Sequence, residues 1–377
     1  MKNLPEHLNQ VPDEGSVVGV GVSSGTSCDG IDVAIVKFSW NNLDYKVEES
    51  GFICYEYPEA IREQLLKVSA GEPVSASDLA NLEHQLSNCF ADAVAQMIQK
   101  YPTVPDYVVT HGQTVAHLGN LGTMQLGNPA TIANRTGLWT VGNLRLADVS
   151  AGGQGAPILP ICDQLLRSGP SPVIILNLGG VANATLLTSS GVEAFDIGPA
   201  NALLDGIWQQ NNQSRYDAGG TVGTSGSINP GDVQSLLVLI EAAVDGSSLH
   251  KDAVGAQLLS LWKPERSDLA DMLAAATEAT ALHISVILNE KDADKIYVSG
   301  GGWHNKLLIS RLSAHLQMPL FSIDDLHESK VTVDSREAVD FALLGHLWFR
   351  GIPAGLRAVT GAKFDTIAGA LWPPVQG

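Results

Sequence analysis

Three glycine-bearing loops hold the residues best suited to chemistry: Gly21-Val-Ser-Ser-Gly-Thr-Ser-Cys-Asp-Gly-Ile-Asp32, Leu178-Gly-Gly-Val-Ala-Asn183 and Ser299-Gly-Gly-Gly-Trp-His-Asn305. Glycine lets a backbone approach a ligand closely, and the N–H groups it exposes can cradle phosphate oxygens. Ser23, Ser24, Thr26 and Ser27 add hydroxyl donors to the first loop. None is followed by the GK[ST] of a Walker A loop, and none is a clean GxGxxG dinucleotide fingerprint. Each alone equally suits a tight turn; three in one chain suit a nucleotide.

Phosphoryl transfer needs positioning, a metal to offset charge and a base near the nucleophile. The candidate base is Asp196 in Phe195-Asp-Ile-Gly-Pro-Ala-Asn201, expected at the end of a strand just before a helix. An N-cap or turn role is the alternative for that aspartate. Asp29 and Asp32 flank the first loop and suit either Mg²⁺ through water or stabilisation of the turn. His111, Gln113, Arg145 and Asp148 are donors and acceptors of the kind that read sugar hydroxyls. No HExxH pairing suggests zinc, and no GxSxG elbow suggests a serine hydrolase.

Each loop should follow a strand. Ser16–Val22 and Asp32–Ser39 read as a strand pair, with Tyr45–Tyr57 as a third. Helices follow over about Ala60–Ser69 and Asp78–Lys100, the latter with Ser77 as N-cap. Tyr107–Thr110 is a short buried strand ending at His111, and Leu138–Asn143 another. The strand–glycine turn–strand–strand plan restarts at Ser171–Leu178, Ala184–Thr188 and Val192–Asp196, a weak internal repeat. Helices near 201–210, 230–244, 254–262 and 268–288 come next, then a strand over Lys295–Ser299 and a helix from Asn305. The expected fold is therefore α/β, with two lobes and an interdomain cleft. Residues 1–15 read as a loose tail, 16–150 as the N-terminal lobe and 151–377 as the C-terminal lobe, whose last segment packs back on the first. Ala151-Gly-Gly-Gln-Gly-Ala-Pro157 reads as the connection.

The 377 residues suit two domains, and 45% hydrophobic with 16% charged residues is a globular composition. A net charge of −18 with scattered Lys and Arg speaks against nucleic acid and anionic membranes. Four cysteines without ligand spacing (Cys28, Cys54, Cys89, Cys162) suit reduced thiols and a cytoplasmic setting. No leader-like segment opens the sequence.

Eleven stretches in order carry a family resemblance: SGTSCDGID (24–32), HGQT (111–114), QLGNPATIANRTG (125–137), NLRLAD (143–148), AGGQGAPILP (151–160), NLGGVAN (177–183), FDIGPAN (195–201), YDAGG (216–220), SGGGWHN (299–305), REAVDFA (336–342) and VTGA (359–362). On these the chain resembles the anhydro-N-acetylmuramic acid kinase family, a branch of the actin/hexokinase/heat-shock-ATPase superfamily. The resemblance implies two ribonuclease-H-like lobes, ATP and Mg²⁺, a small sugar substrate and often a homodimer. It implies a base that activates water to attack C1 of a 1,6-anhydro sugar while the departing O6 takes the γ-phosphoryl group. Carried over by motif, the base is Asp196, and Glu337 is an acidic residue near the sugar. Nucleotide contacts fall on Gly25, Thr26, Ser27, Cys28, Asp29, Gly30, Ile31 and Asp32, on Gly179, Gly180 and Asn183, and on Gly300, Gly301, Gly302 and Asn305. Substrate contacts fall on His111, Gln113, Arg145 and Asn201. Departures such as Asn128, Asn143 and Ala200 leave two alternatives open: a kinase of another anhydro sugar such as levoglucosan, or a catalytically weak regulatory relative.

Overall fold

The computed structural model describes residues 4–25, 28–167, 171–188, 191–210, 215–244, 254–265, 268–326, 331–332 and 334–375. The chain divides into two compact units, Met1–Ser168 with His327–Gly377, and Gly169–Leu326.

The first unit begins with a short helix, α1 (Glu6–Asn9), and an antiparallel meander of β1 (Glu14–Ser24), β2 (Gly30–Asn41) and β3 (Asp44–Glu56). Helices α2 (Glu59–Ser69) and α3 (Ala76–Lys100) lead to β4 (Tyr107–His117), which lies parallel to β1. Then come β5 (Thr123–Leu126), α4 (Pro129–Thr136), β6 (Trp139–Gly142), α5 (Leu146–Ser150) and α6 (Pro160–Leu166). The two faces of β2 explain why its sequence is apolar throughout. Ile31, Val33 and Ile35 belong to a core with α2 and α3, whereas Ala34, Val36 and Phe38 belong to a second core on the other face. Side chains of successive strand residues point to opposite faces, so a sheet covered on both needs a continuous apolar run.

The second unit repeats this plan. A meander of β7 (Val173–Leu178), β8 (Val181–Leu187) and β9 (Val192–Pro199) is followed by α7 (Asn201–Gln209), α8 (Thr221–Ser225), α9 (Pro230–Val244), α10 (Val254–Leu261) and α11 (Leu269–Asn289). Strand β10 (Lys295–Ser299) pairs parallel with β7, α12 (Lys306–His315) follows, and β11 (Leu320–Ser322) pairs parallel with β10. The order β11-β10-β7-β8-β9 matches β6-β4-β1-β2-β3 of the first sheet, strand for strand and direction for direction. The weak repeat in sequence is thus a duplicated ribonuclease-H-like sheet. Among the described residues α11 is the one helix long and apolar enough to cross a membrane, but 67% of its apolar window is buried inside the protein.

The chain then returns to the first unit with α13 (Arg336–Phe349), α14 (Arg357–Thr360) and β12 (Ala370–Trp372), which pairs antiparallel with β6. Helix α13 fills the second core: Ala338, Val339, Phe341, Ala342, Leu343, Leu344 and Leu347 all belong to it. Its approach to β1 is so close that a Cβ on Gly21 would lie 1.8 Å from the Ala338 carbonyl oxygen.

Several expectations change. The described part of the expected 1–15 tail, residues 4–15, is not loose, because Leu8 is buried in the second core and His7 Nε2 is 2.8 Å from Asp106 Oδ1. The unit boundary lies at 168/169 rather than 150/151, since Cys162, Leu165 and Leu166 of α6 are buried in the first unit's core. Residues 151–157 are therefore no connection; Gln154 N donates to Thr360 O (2.9 Å) and Gly155 N to Asp148 Oδ2 (2.7 Å). The N-cap of α3 is Ser75, not Ser77: its hydroxyl accepts from Asp78 N at 3.1 Å, two residues earlier than the apolar pattern implies.

Candidate active site

In the first unit the polar groups gather at the carboxyl ends of β1 and β4, where ligands of open α/β sheets bind. The parallel register sets Ser24 beside Gln113 after an irregularity between Val22 and Ser24. The Ser24 hydroxyl lies 2.6 Å from Gln113 Oε1 and 2.8 Å from Gly30 O, and accepts from Tyr57 OH at 2.8 Å. Gln113 Nε2 donates to Gly25 O at 3.2 Å. Gln113 is fully buried, so its amide is occupied in holding both sides of the β1–β2 loop. Cys28 adopts a left-handed φ of 52°, its N–H donates to Gly25 O, and its carbonyl accepts from Arg62 Nε at 3.1 Å. Thr26 and Ser27 lie outside the described residues.

Asp32 closes this loop. The register places it opposite Ser23 on β1 and Cys54 on β3. Burial pushes its carboxyl up to about 6; the Cys54 thiol, a donor to it, works against that, and the neighbouring charges of Asp29, Glu337 and Asp334 work with it. Cys54 itself is pushed up to about 12, first by burial and then by Asp32, so it stays a thiol.

His111 and Arg145 form the other side. Arg145 Nε donates to His111 Nε2 at 2.8 Å, and His111 Nδ1–H donates to Gly112 O at 3.0 Å. That network assigns a neutral imidazole with its proton on Nδ1. Burial, reinforced by the Arg145 charge, lowers His111 to about 3. The ring stacks on Phe341 of α13 at 4.9 Å. Arg145 Nη1 donates to Gly155 O at 2.8 Å, and burial lowers the guanidinium to about 10 against the pull of Glu337. Both His111 nitrogens are occupied inside the unit; the group it presents is Arg145. Asp148, another sequence candidate, is buried and accepts from Gly155 N and Thr360 Oγ1. Glu337, in the first turn of α13, is exposed and acts electrostatically on both Asp32 and Arg145. It belongs to the first unit, although its place in the sequence puts it beyond the second.

The second unit gathers the remaining candidates at the equivalent strand ends. The β7–β8 turn is tied to the start of α7: Asn201 N donates to Gly179 O (3.0 Å), and Ala200 N and Ala202 N to Gly180 O (2.9 and 3.0 Å). Asn201 Nδ2 also donates to Leu178 O at 3.0 Å. Gly300 has a φ of 83°, and a Cβ there would lie 2.5 Å from Asn177 Oδ1, so only glycine brings the β10 loop onto the β7–β8 turn. Gly301 has open space beside it, and Gly302 lies against Leu178. Asn305 caps α12 by accepting from Leu308 N at 3.1 Å. Asp196 is exposed on β9 and pairs with Asn183 of β8 next to an irregularity at Ala182/Asn183. It sits inside the strand, which continues to Pro199, rather than at its end.

The arrangement also includes residues that sequence reading passed over. Tyr57, Arg62 and Cys54 touch the first loop only because β3 and α2 fold back on it, which no local pattern reports. Asp217 and Gly220 were visible only as the matched YDAGG stretch. Asp217 caps α8 through Val222 N (3.0 Å) and Gly223 N (2.9 Å), while a Cβ on Gly220 would lie 2.1 Å from Asn305 Oδ1.

A model of the family described as "Anhydro-N-acetylmuramic acid kinase" matches residues 17–374. An anhydro-N-acetylmuramic acid kinase of Synechococcus elongatus is 36% identical, over 94% of this chain and 98% of its own. One of Photobacterium profundum is 32% identical, again over 94% and 98%. Among solved structures, the activator of the 2-hydroxyisocaproyl-CoA dehydratase from Clostridium difficile with bound ADPNP is similar over 89% of this chain and 96% of its own. That likeness has a TM-score of 0.43 at 11% identity.

Proposed function

The chain belongs to the anhydro-N-acetylmuramic acid kinase family, and from that premise we propose that it opens the 1,6-anhydro bridge of N-acetylmuramic acid and phosphorylates O6 at the expense of ATP. It is an ATP-dependent sugar kinase. A water hydroxyl bonds to C1, the C1–O6 bond breaks, O6 bonds to the γ-phosphorus, and ADP departs. The water proton passes to Asp196. The exposed carboxylate of Asp196, beside the β7–β8 turn rather than consumed as a helix cap, supports that role.

The observation that carries the reading is the charged group at the ends of β1 and β4. Arg145, aimed by His111 and Gly155, offers a cation for an anionic or hydroxylated part of the sugar, with Glu337 beside it. A held guanidinium suits the lactyl carboxylate of a muramic sugar better than a neutral anhydro sugar. Within the first unit the loop from Gly25 to Asp32, and within the second the turn at Gly179–Gly180 with Asn183 and the Gly300–Asn305 loop, each carry backbone N–H groups suited to phosphate oxygens.

The residues fit Mg²⁺ bound chiefly by phosphate. Among the described residues no group of three or more His, Cys, Asp or Glu could hold a metal alone, while Asp29 and Asp32 stand close enough to interact. They would contribute through water, and the ion would offset phosphate charge. Four cysteines that form no disulfide among the described residues, and the use of ATP, support a cytoplasmic setting.

The test is ADP release by the purified chain with ATP, Mg²⁺ and either 1,6-anhydro-N-acetylmuramic acid or levoglucosan, in ¹⁸O-water. Turnover on the muramic sugar with one ¹⁸O at C1, lost in Asp196→Asn, is expected. Turnover on levoglucosan alone would reassign the substrate, and none on either would overturn the enzymatic reading.

A further inference from the structure

Glu337 lies in the first turn of α13, where the helix approaches β1 closely at Gly21, yet no hydrogen bond among the described residues holds its carboxylate. Its neighbours Arg336, Ala338, Val339 and Asp340 are buried while it alone is exposed. The direction of that side chain is therefore set by how the first turn of α13 is seated. On one side the seat is β1, where Gly21 admits the Ala338 carbonyl.

On the other side stands an ion group that the proposed reaction does not use. Arg336 pairs through Nη2 with Asp163 Oδ1 of α6 and lies 3.7 Å, through Nε, from Asp340 Oδ2 one turn further along α13. All three side chains are almost wholly buried. A cation in the first turn of a helix opposes the helix dipole, and a buried unpaired charge is strongly destabilising. Arg336 is thus tolerated only beside its carboxylate neighbours Asp163 and Asp340, and the pair with Asp163 ties the first turn of α13 to α6. Cys162, next to Asp163, adds a contact from Sγ to Asp340 O at 3.4 Å.

We propose that the Asp163–Arg336–Asp340 ion group is the positioning device of Glu337. It locks the first turn of α13 between α6 and β1 so that the carboxylate is presented to Arg145 and Asp32. The inference rests on Glu337 serving the sugar reaction. Asp163 and Arg336 are positioning residues, since they act through Glu337 and touch no substrate.

The test uses the full chain as wild type, Asp163→Asn, Arg336→Lys, Glu337→Gln and the double variant Asp163→Asn/Glu337→Gln. Arg336→Lys keeps the charge but loses the forked geometry, so it serves if Asp163→Asn does not fold. Turnover of ATP with 1,6-anhydro-N-acetylmuramic acid gives kcat and the KM for ATP. Hydrogen exchange without substrate reports the amides of 337–340. Asp163→Asn and Arg336→Lys should each lower kcat by roughly 10- to 100-fold, with the KM for ATP within about twofold. Asp163→Asn should lower kcat no further when added to Glu337→Gln, and the 337–340 amides should exchange about tenfold faster in both single variants. Equal loss of kcat in the wild-type and Glu337→Gln backgrounds would overturn the proposal, as would unchanged exchange in a folded variant. A wild type without turnover would instead sink the functional reading, leaving exchange to decide whether the ion group fixes the turn.

Discussion

Gly21→Ala should separate seating of α13 from stability of the fold. The added Cβ would lie 1.8 Å from Ala338 O, 2.6 Å from Ala342 N and 2.9 Å from the Ala338 carbonyl carbon. Ordinary contacts begin at 3.4 Å, so the shortfall at the oxygen is about 1.6 Å (3.4 less 1.8). All three obstacles are backbone atoms, which cannot swing aside as a side chain would. Either β1 or the first turn of α13 must move, and Glu337 moves with the helix. Overpacking of this kind costs about 1–3 kcal/mol, and a misplacement near 1 Å at a reacting centre costs about 100-fold in rate. Urea unfolding and kcat on the muramic sugar, measured on the same samples, read the two effects. Leu65→Ala is the control: Leu65 is fully buried in α2, in the core on the opposite face of the sheet. Its loss should cost about 2–5 kcal/mol while kcat in the folded fraction stays unchanged. Gly21→Ala with wild-type kcat, or a loss of kcat in Leu65→Ala that scales with its stability loss, would refute the reasoning.

Other expectations follow from groups held in unusual states. His346 is fully buried against Trp40 and Tyr45, neither ring nitrogen has a hydrogen-bond partner among the described residues, and burial lowers it to about 3. Its folded value lies below the unfolded one near 6.5, so wild-type stability from this group falls as pH drops below about 6.5. His346→Leu should therefore gain about 1–2 kcal/mol at pH 7 and roughly 2 more at pH 5 by urea unfolding; an advantage that shrinks on acidification would contradict this. Asp32 behaves oppositely: its carboxyl is raised to about 6, so its contribution to stability is present near pH 4 and lost as pH rises through 6. Asp32→Asn should match wild type in thermal unfolding near pH 4, exceed it at pH 8 and turn over more slowly, and a lower melting point at pH 8 would count against the assigned shift. His111→Ala frees Arg145 and should raise the KM for sugar about tenfold with little change in the KM for ATP; His111→Gln, which can still accept from the guanidinium, should recover part of it.

The strands were legible because the two-sided burial of β2 and its relatives writes continuous apolar runs between glycine turns. The duplicated plan followed from those runs. Helix α13 was harder to read. Arg336, Asp340 and His346 occupy buried positions, so its sequence shows no clean apolar stripe, and Ser335 at the N-cap makes no side-chain cap hydrogen bond. Its packing partner is β1, a strand from the far end of the chain. His111 shows a related limit. Sequence marks it as polar and near a strand end, but only the spacing to Arg145 and Gly112 shows that both nitrogens are occupied. Asp163 gave no signal at all, because its partner lies 173 residues further on, at Arg336.

The return of residues 327–377 to the first unit sets an order of events during synthesis. Residues 169–326 emerge as a contiguous stretch and can complete their own sheet as soon as β11 is made. The first sheet must wait, with the face that α13 will cover still open, until the final segment leaves the ribosome. During that interval Val17, Val36, Phe38 and Tyr107 lack their apolar partner and depend on α1 and α6 for cover. The unit that begins first is the one completed last, and a nascent chain stalled before α13 would present that face to chaperones.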